Sequence, residues 1–253
     1  MESREWDRVS ARYFDEILSP FDKGVDNKVY ELLEKVMAKD KSVLEVGCGM
    51  GFLIPFLSKN FRSVLAFDFS REMVRLSLLK HENLANVDIL ELDVLELDCL
   101  KQGFDVAVAV NSILMPDIDQ VNTSLRLIHS RLNKGGSFIG VFPSIESALY
   151  EAMVTYEKEF ERCGDHEESV RETNRQICRS RYDFCYGLMD FDGKQKHFYE
   201  FELRHRLKKA GFKSIRIGKL SYPWQLSESK AVARKFRGNL YGEPWDWTVV
   251  ARK

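Results

Sequence analysis

The run Val43-Leu44-Glu45-Val46 is apolar apart from one acid, and it opens directly onto Gly47-Cys48-Gly49-Met50-Gly51 before a helical pattern resumes. Three glycines at alternate positions between a strand and a helix leave a turn of bare backbone beside a helix N-terminus, where a ligand can approach main-chain N–H groups. A buried strand feeding such a turn belongs to an α/β sheet. The dinucleotide form G-x-G-x-x-G would put its third glycine at position 52, which is Phe; here the third glycine comes one residue early, at 51.

The strand–helix alternation then continues. Ser63-Val64-Leu65-Ala66-Phe67 ends at Asp68, one βαβ spacing beyond Gly47, where a carboxylate can hold ribose hydroxyls. Val87–Leu92 leads into Asp93-Val94, and Phe104–Val110 ends at Asn111-Ser112. Leu132-Asn133-Lys134-Gly135-Gly136 then opens a fifth run, Ser137–Val141. The pattern predicts a parallel sheet with helices on both faces, its ligands beyond the carboxyl ends of the strands. Ahead of it, residues 2–19 predict an amphipathic helix ending near Pro20, and Val29, Leu32, Leu33, Val36 and Met37 mark one face of another. After Ser144 the text becomes charged and helical up to about residue 185, with turn signals around Asp192-Gly193. Phe201–Ala210 predicts a helix capped by Gly211, followed by strands at Ser214–Gly218 and Trp247–Arg252.

The form E-x-G-x-G-x-G, with the later segments in order over roughly residues 40–145, resembles the class I S-adenosylmethionine-dependent methyltransferases of small molecules. The resemblance implies a Rossmann-like seven-stranded, mostly parallel sheet whose last strand is antiparallel, to which the charged helical text after Ser144 adds an α-rich insertion after strand 5. It also implies S-adenosylmethionine as cofactor and S-adenosylhomocysteine as product. Carried over residue by residue, Gly47, Cys48, Gly49 and Gly51 form the cofactor loop, and Glu45 supports that loop and the methionine amino group. Asp68 holds the ribose, Asp93 the adenine amino group, and Phe69 and Val94 flank the adenine. Asn111 and Ser112 face the methionine part or the acceptor, and Tyr13 is counted with the cofactor-binding set. The whole of 1–253 is then one methyltransferase domain, with residues 1–20 as a lid helix and 145–198 as an inserted cap.

Composition fits this. Net charge is −1, so there is no basic footprint for nucleic acid. No apolar run reaches the length of a membrane span, and Met1–Arg8 is charged where a signal sequence would be apolar. The five cysteines form no C-x-x-C pair, and the default reading is a cytoplasmic protein with free thiols and no metal. Cys163, Cys178 and Cys185 cluster in one region, with a soft-metal site as the lesser reading. No residue is assigned as catalytic base: His166, His197 and His205 read as scattered surface histidines. Arg171, Arg175 and Arg179 share a helical face with acidic neighbours and read as solvated. The partner is expected to be a small-molecule acceptor, with no nucleic acid and no membrane, and oligomeric state is open. A methyltransferase of RNA or protein, supported only by the basic segment Lys230–Arg237, and a cofactor-binding protein of another class, a nicotinamide oxidoreductase or a catalytically silent binder, are the alternatives.

Overall fold

The computed structural model describes residues 19–179, 182–190, 193–223 and 243–253. Helix α1 (Lys28–Glu34) precedes β1 (Ser42–Val46), α2 (Ile54–Asn60), β2 (Ser63–Asp68), α3 (Arg71–His81), β3 (Val87–Glu91), β4 (Phe104–Val110), α4 (Ile118–Arg131) and β5 (Leu132–Pro143). Then come α5 (Ile145–Cys163), α6 (His166–Arg179), the short strands β6 (Tyr182–Asp183), β7 (Leu188–Asp190) and β8 (Lys194–Lys196), α7 (Glu200–Lys209), β9 (Lys213–Ser221) and β10 (Trp245–Arg252).

Seven strands make one sheet in the order β3–β2–β1–β4–β5–β10–β9. Strands β1 to β5 are parallel neighbours, while β10 runs antiparallel to both β5 and β9. The expected class I fold is therefore present, antiparallel last strand included. Burial on both faces accounts for the apolar text of the central strands: β1 is buried at every position. Alternate residues serve opposite faces, Leu44 and Val46 packing with Phe67, Leu125 and Phe138. Val43 packs with Val29, Leu33, Leu57 and Ile139 on the other face. The order reverses at β1 and β4, which leaves a crevice at their carboxyl ends.

Local chemistry sets the helix starts. Ser70 Oγ accepts from Met73 N at 3.2 Å and Asp117 Oδ1 from Asp119 N at 2.8 Å, satisfying donors that the first turn cannot pair. Gly211, at φ 104, ends α7 as expected, its N–H donating to Lys208 O. Three expectations need correction. Helix α1 stops at Glu34, and Val36 and Met37 continue as a turn whose N–H groups return to Leu33 O. Strand β9 is longer than Ser214–Gly218 at both ends, because it is paired along its length by β10. The insertion is α-rich as expected, in α5 and α6, but the helical text read up to about residue 185 ends with α6 at Arg179, and the segment after it makes a three-stranded antiparallel sheet, β6–β7–β8. The predicted helix at 2–19 lies, but for Ser19, outside the described residues, as does Lys230–Arg237.

Candidate functional site

A cavity of about 660 Å³ lies beyond the carboxyl ends of β1 to β4 and runs under the insertion. Its floor is the glycine loop. Gly47 sits at φ 67, and a Cβ there would fall 2.3 Å from the Cβ of Ser112, so neither the dihedral nor the space admits a side chain. Ser112 is fixed in that position by donating to Val46 O at 2.6 Å. Gly49 forms the open crest of the loop. Gly51 lies behind it, off the cavity wall, against Ser77 and His81.

Each strand end brings a carboxyl group. Glu45, in β1, is buried, and its Oε2 has no hydrogen-bond partner among the described residues. Burial, and then the charge of Asp68, push its pKa up to about 8. Asp68 ends β2 and accepts from Gly49 N and from Ser70 N, both at 2.9 Å. One carboxylate thus ties the loop crest to the start of α3 while still lining the cavity. Asp93 follows β3 and caps a 3-10 turn, accepting from Leu95 N at 2.9 Å. Phe69 and Val94 stand beside these acids on the wall. Cys48 lines it too, and burial, followed by Glu45 and Asp68, raises its thiol pKa and disfavours the thiolate.

Asn111 ends β4 in the left-handed region, at φ 47. Its Nδ2 donates to Asp246 Oδ2 at 2.9 Å, which orients the amide and leaves Oδ1 buried with no partner among the described residues. The structure therefore gathers Glu45, Gly47, Cys48, Gly49, Asp68, Phe69, Asp93, Val94, Asn111 and Ser112 on one cavity. Gly51 supports it from behind, and Tyr13 falls outside the described residues.

The far wall was not legible. Asp246, at the start of β10, accepts from Tyr222 OH at 2.6 Å and from Asn111. Burial pushes its carboxyl up to about 6 against those donors and the Ser144 N–H. The only signal for it in the text was an acid between two tryptophans, Trp245 and Trp247. His197, read as a surface histidine, lines the cavity instead. The reason lies in the backbone: Lys196 N donates to Leu114 O, His197 N to Gly187 O and Phe198 N to Pro143 O, clamping the chain beside the end of β5. Burial, then the charge of Lys196, push the His197 imidazole down to about 4. Tyr182 meets His197 edge-on at 6.2 Å and also lines the wall. Of the arginines, Arg175 is paired with Glu172 at 2.6 Å on the exposed face of α6. No group of three or more metal-ligating side chains occurs among the described residues.

The residues present fit a cofactor that brings a cationic donor to Glu45 and hydroxyl and amine donors to Asp68 and Asp93, over a turn that admits no side chain at Gly47. Residues 43–136 match the family model described as a methyltransferase domain. No curated protein matches the chain. Among solved structures, the N-methyltransferase NodS from Bradyrhizobium japonicum, in complex with S-adenosyl-L-homocysteine, is 10% identical with a TM-score of 0.62, covering 98% of each chain. A SAM-dependent methyltransferase from Anabaena variabilis is 14% identical with a TM-score of 0.61, over 99% of this chain and 93% of that one. One from Methanosarcina mazei is 17% identical with a TM-score of 0.58, over 88% and 97%.

Proposed function

We propose that this chain, a class I S-adenosylmethionine-dependent methyltransferase, passes the methyl group to a small molecule enclosed between the strand ends and the 145–198 insertion. The observation that carries the small-molecule reading is the continuity of one cavity, lined both by the glycine-loop residues and by Ser147, Glu151, Tyr182 and His197 of the insertion. The size is that of small-molecule sites.

Bound S-adenosylmethionine supplies a methyl group already activated by its sulfonium. What remains for the chain is to hold, align and dry the site. In this reading Glu45 receives the methionine ammonium, the backbone of Gly47 and Gly49 lies against the cofactor, Asp68 takes the ribose hydroxyls and Asp93 the adenine amine. Phe69 and Val94 flank the ring, residues 145–198 serve as a cap and residues 1–20 as a lid. A cytoplasmic location belongs to the same proposal, consistent with free thiols at Cys48, Cys99, Cys163 and Cys185.

Calorimetry tests the cofactor assignment. S-adenosylhomocysteine is expected to bind and NAD not to. Asp68→Ala is expected to lose about 1.5–3 kcal/mol of that binding, the worth of a charge-assisted hydrogen bond. NAD binding in place of S-adenosylhomocysteine, or unchanged affinity in Asp68→Ala, would reject the assignment.

A further inference from the structure

The acceptor half of the cavity has a charge pattern that the cofactor does not explain. Among the described residues that line the cavity there is no lysine or arginine, whereas Glu45, Asp68, Asp93, Glu151 and Asp246 all bring carboxyl groups. The first three stand at the ends of β1, β2 and β3, where the cofactor reading uses them. Asp246 stands beyond β4, and each donor it receives is neutral: Tyr222 OH, Asn111 Nδ2 and the Ser144 N–H. Ser144 is extended, at φ −94 and ψ 120, and its carbonyl takes the His197 ring N–H while its own N–H serves Asp246. Beside this group lies a second acceptor, Asn111 Oδ1, buried and lacking a donor among the described residues. The walls around them are apolar or aromatic, with Met115, Tyr182, Met189 and Trp245.

At this end a carboxylate or phosphate would meet the Asp246 carboxyl and the Asn111 Oδ1 acceptor, with no lysine or arginine among the described residues that line the cavity. A cationic or proton-donating ligand gains twice, from the carboxylate and from the aromatic faces. We infer that the methyl acceptor is an amine on an apolar, ring-sized frame, its nitrogen held by Asp246 and Asn111 Oδ1. The inference rests on the methyl-transfer reading above and adds the acceptor's class. The amine enters as an ammonium and passes one proton to the Asp246 carboxylate. This transfer replaces two buried charges by two neutral groups beside the sulfonium. The freed nitrogen lone pair then forms the N–C bond as the C–S pair returns to sulfur, so the positive charge moves from sulfur to nitrogen. Asp246 gives its proton to solvent as the N-methylammonium leaves, one proton per methyl.

The test uses the full chain with methyl-labelled S-adenosylmethionine and three probes of similar frame: phenethylamine, 3-phenylpropanoic acid and 4-ethylphenol. Label is expected on the amine nitrogen, at least about 10-fold faster than on the acid or the phenol, as a site built around polar partners discriminates. Asp246→Asn is expected to lower kcat/KM for the amine by about 100-fold, the loss seen when one partner of a buried charged hydrogen bond is removed, while S-adenosylhomocysteine binding persists. If that variant also loses cofactor binding, Tyr222→Phe is read in its place, with slowed amine turnover supporting the inference and unchanged turnover overturning it. Preferential labelling of the acid or phenol, no turnover of the amine by a chain that binds S-adenosylhomocysteine, or full amine activity in Asp246→Asn would each overturn it. A wild-type chain that does not bind S-adenosylhomocysteine fails the methyl-transfer reading instead.

Discussion

Glu45 shows how a single buried carboxyl can couple stability to ligand binding. Its pKa rises to about 8 in the ligand-free chain, first through burial and then through Asp68, against an unfolded value near the ordinary carboxylate range. The native state therefore keeps a proton that the unfolded state has already lost. That contribution to stability is complete below the unfolded pKa and disappears as pH rises through about 8. Glu45→Gln keeps the shape and removes the titration. In ligand-free urea unfolding the variant is expected to gain on the wild type between pH 6 and pH 9; equal pH dependence in the two proteins would contradict the raised pKa of this buried carboxyl. With Glu45 receiving the methionine ammonium, as proposed above, the ranking should reverse in the cofactor-bound chain. At this scale the sequence was a good guide only where a backbone motif fixed the address. Glu45, Asp68 and Asn111 were legible because the glycine turn and the strand ends locate them. Asp246 was not, since what distinguishes it is a contact with Asn111 across 135 positions of sequence.

The insertion shows the same limit for whole elements. Helices α5 and α6 were legible as charged helical text, but β6, β7 and β8 are two or three residues long, and β8 reads Lys-Gln-Lys. Nothing in local propensity marks a lysine-bearing strand as buried. What buries it is a network. Lys196 Nζ donates to Tyr186 O at 2.6 Å, His197 O at 2.8 Å and Glu202 Oε2 at 2.8 Å, and its side chain is 1% exposed. Glu202 also receives Arg206 at 2.6 Å, and Arg206 reaches Asn122 of α4 at 3.0 Å. All three ammonium protons are satisfied, so the pair anchors the small sheet to α7 and α4 and sets the backbone that carries His197. Glu202→Leu leaves Lys196 buried without its countercharge and should cost about 3–5 kcal/mol of stability by denaturant unfolding. A loss below about 1 kcal/mol, the level of an exposed pair, would mean that water reaches the lysine. At temperatures where the variant stays folded, S-adenosylhomocysteine binding should survive, because the glycine loop rests on β1, β2 and β4 and not on this anchor.

For the molecule as a whole, the decisive feature is that two parts of different character share one cavity. The sheet from β1 to β5 is stitched by parallel neighbours and buried on both faces, and it presents Glu45, Asp68 and Asp93 as a rigid row. The insertion closes the other side with short strands and polar anchors. Carboxyl groups buried between them are costly to ionise in the ligand-free chain, as the values of about 8 for Glu45, raised by burial and then by Asp68, and about 6 for Asp246, raised by burial, register. A cationic ligand that reaches these groups offsets that cost only in the native state. S-adenosylmethionine at 100 times its dissociation constant should therefore stabilise the chain by about 2.7 kcal/mol, a rise in melting temperature of about 5–10 °C for a chain of this length. Adding phenethylamine to the S-adenosylhomocysteine complex should raise the midpoint further, and 3-phenylpropanoic acid should not. The first shift isolates the cofactor row, and the second isolates the acceptor wall. A chain stabilised by cofactor but indifferent to amine, or stabilised by the acid, would leave the sheet's role standing and remove the one assigned to Asp246.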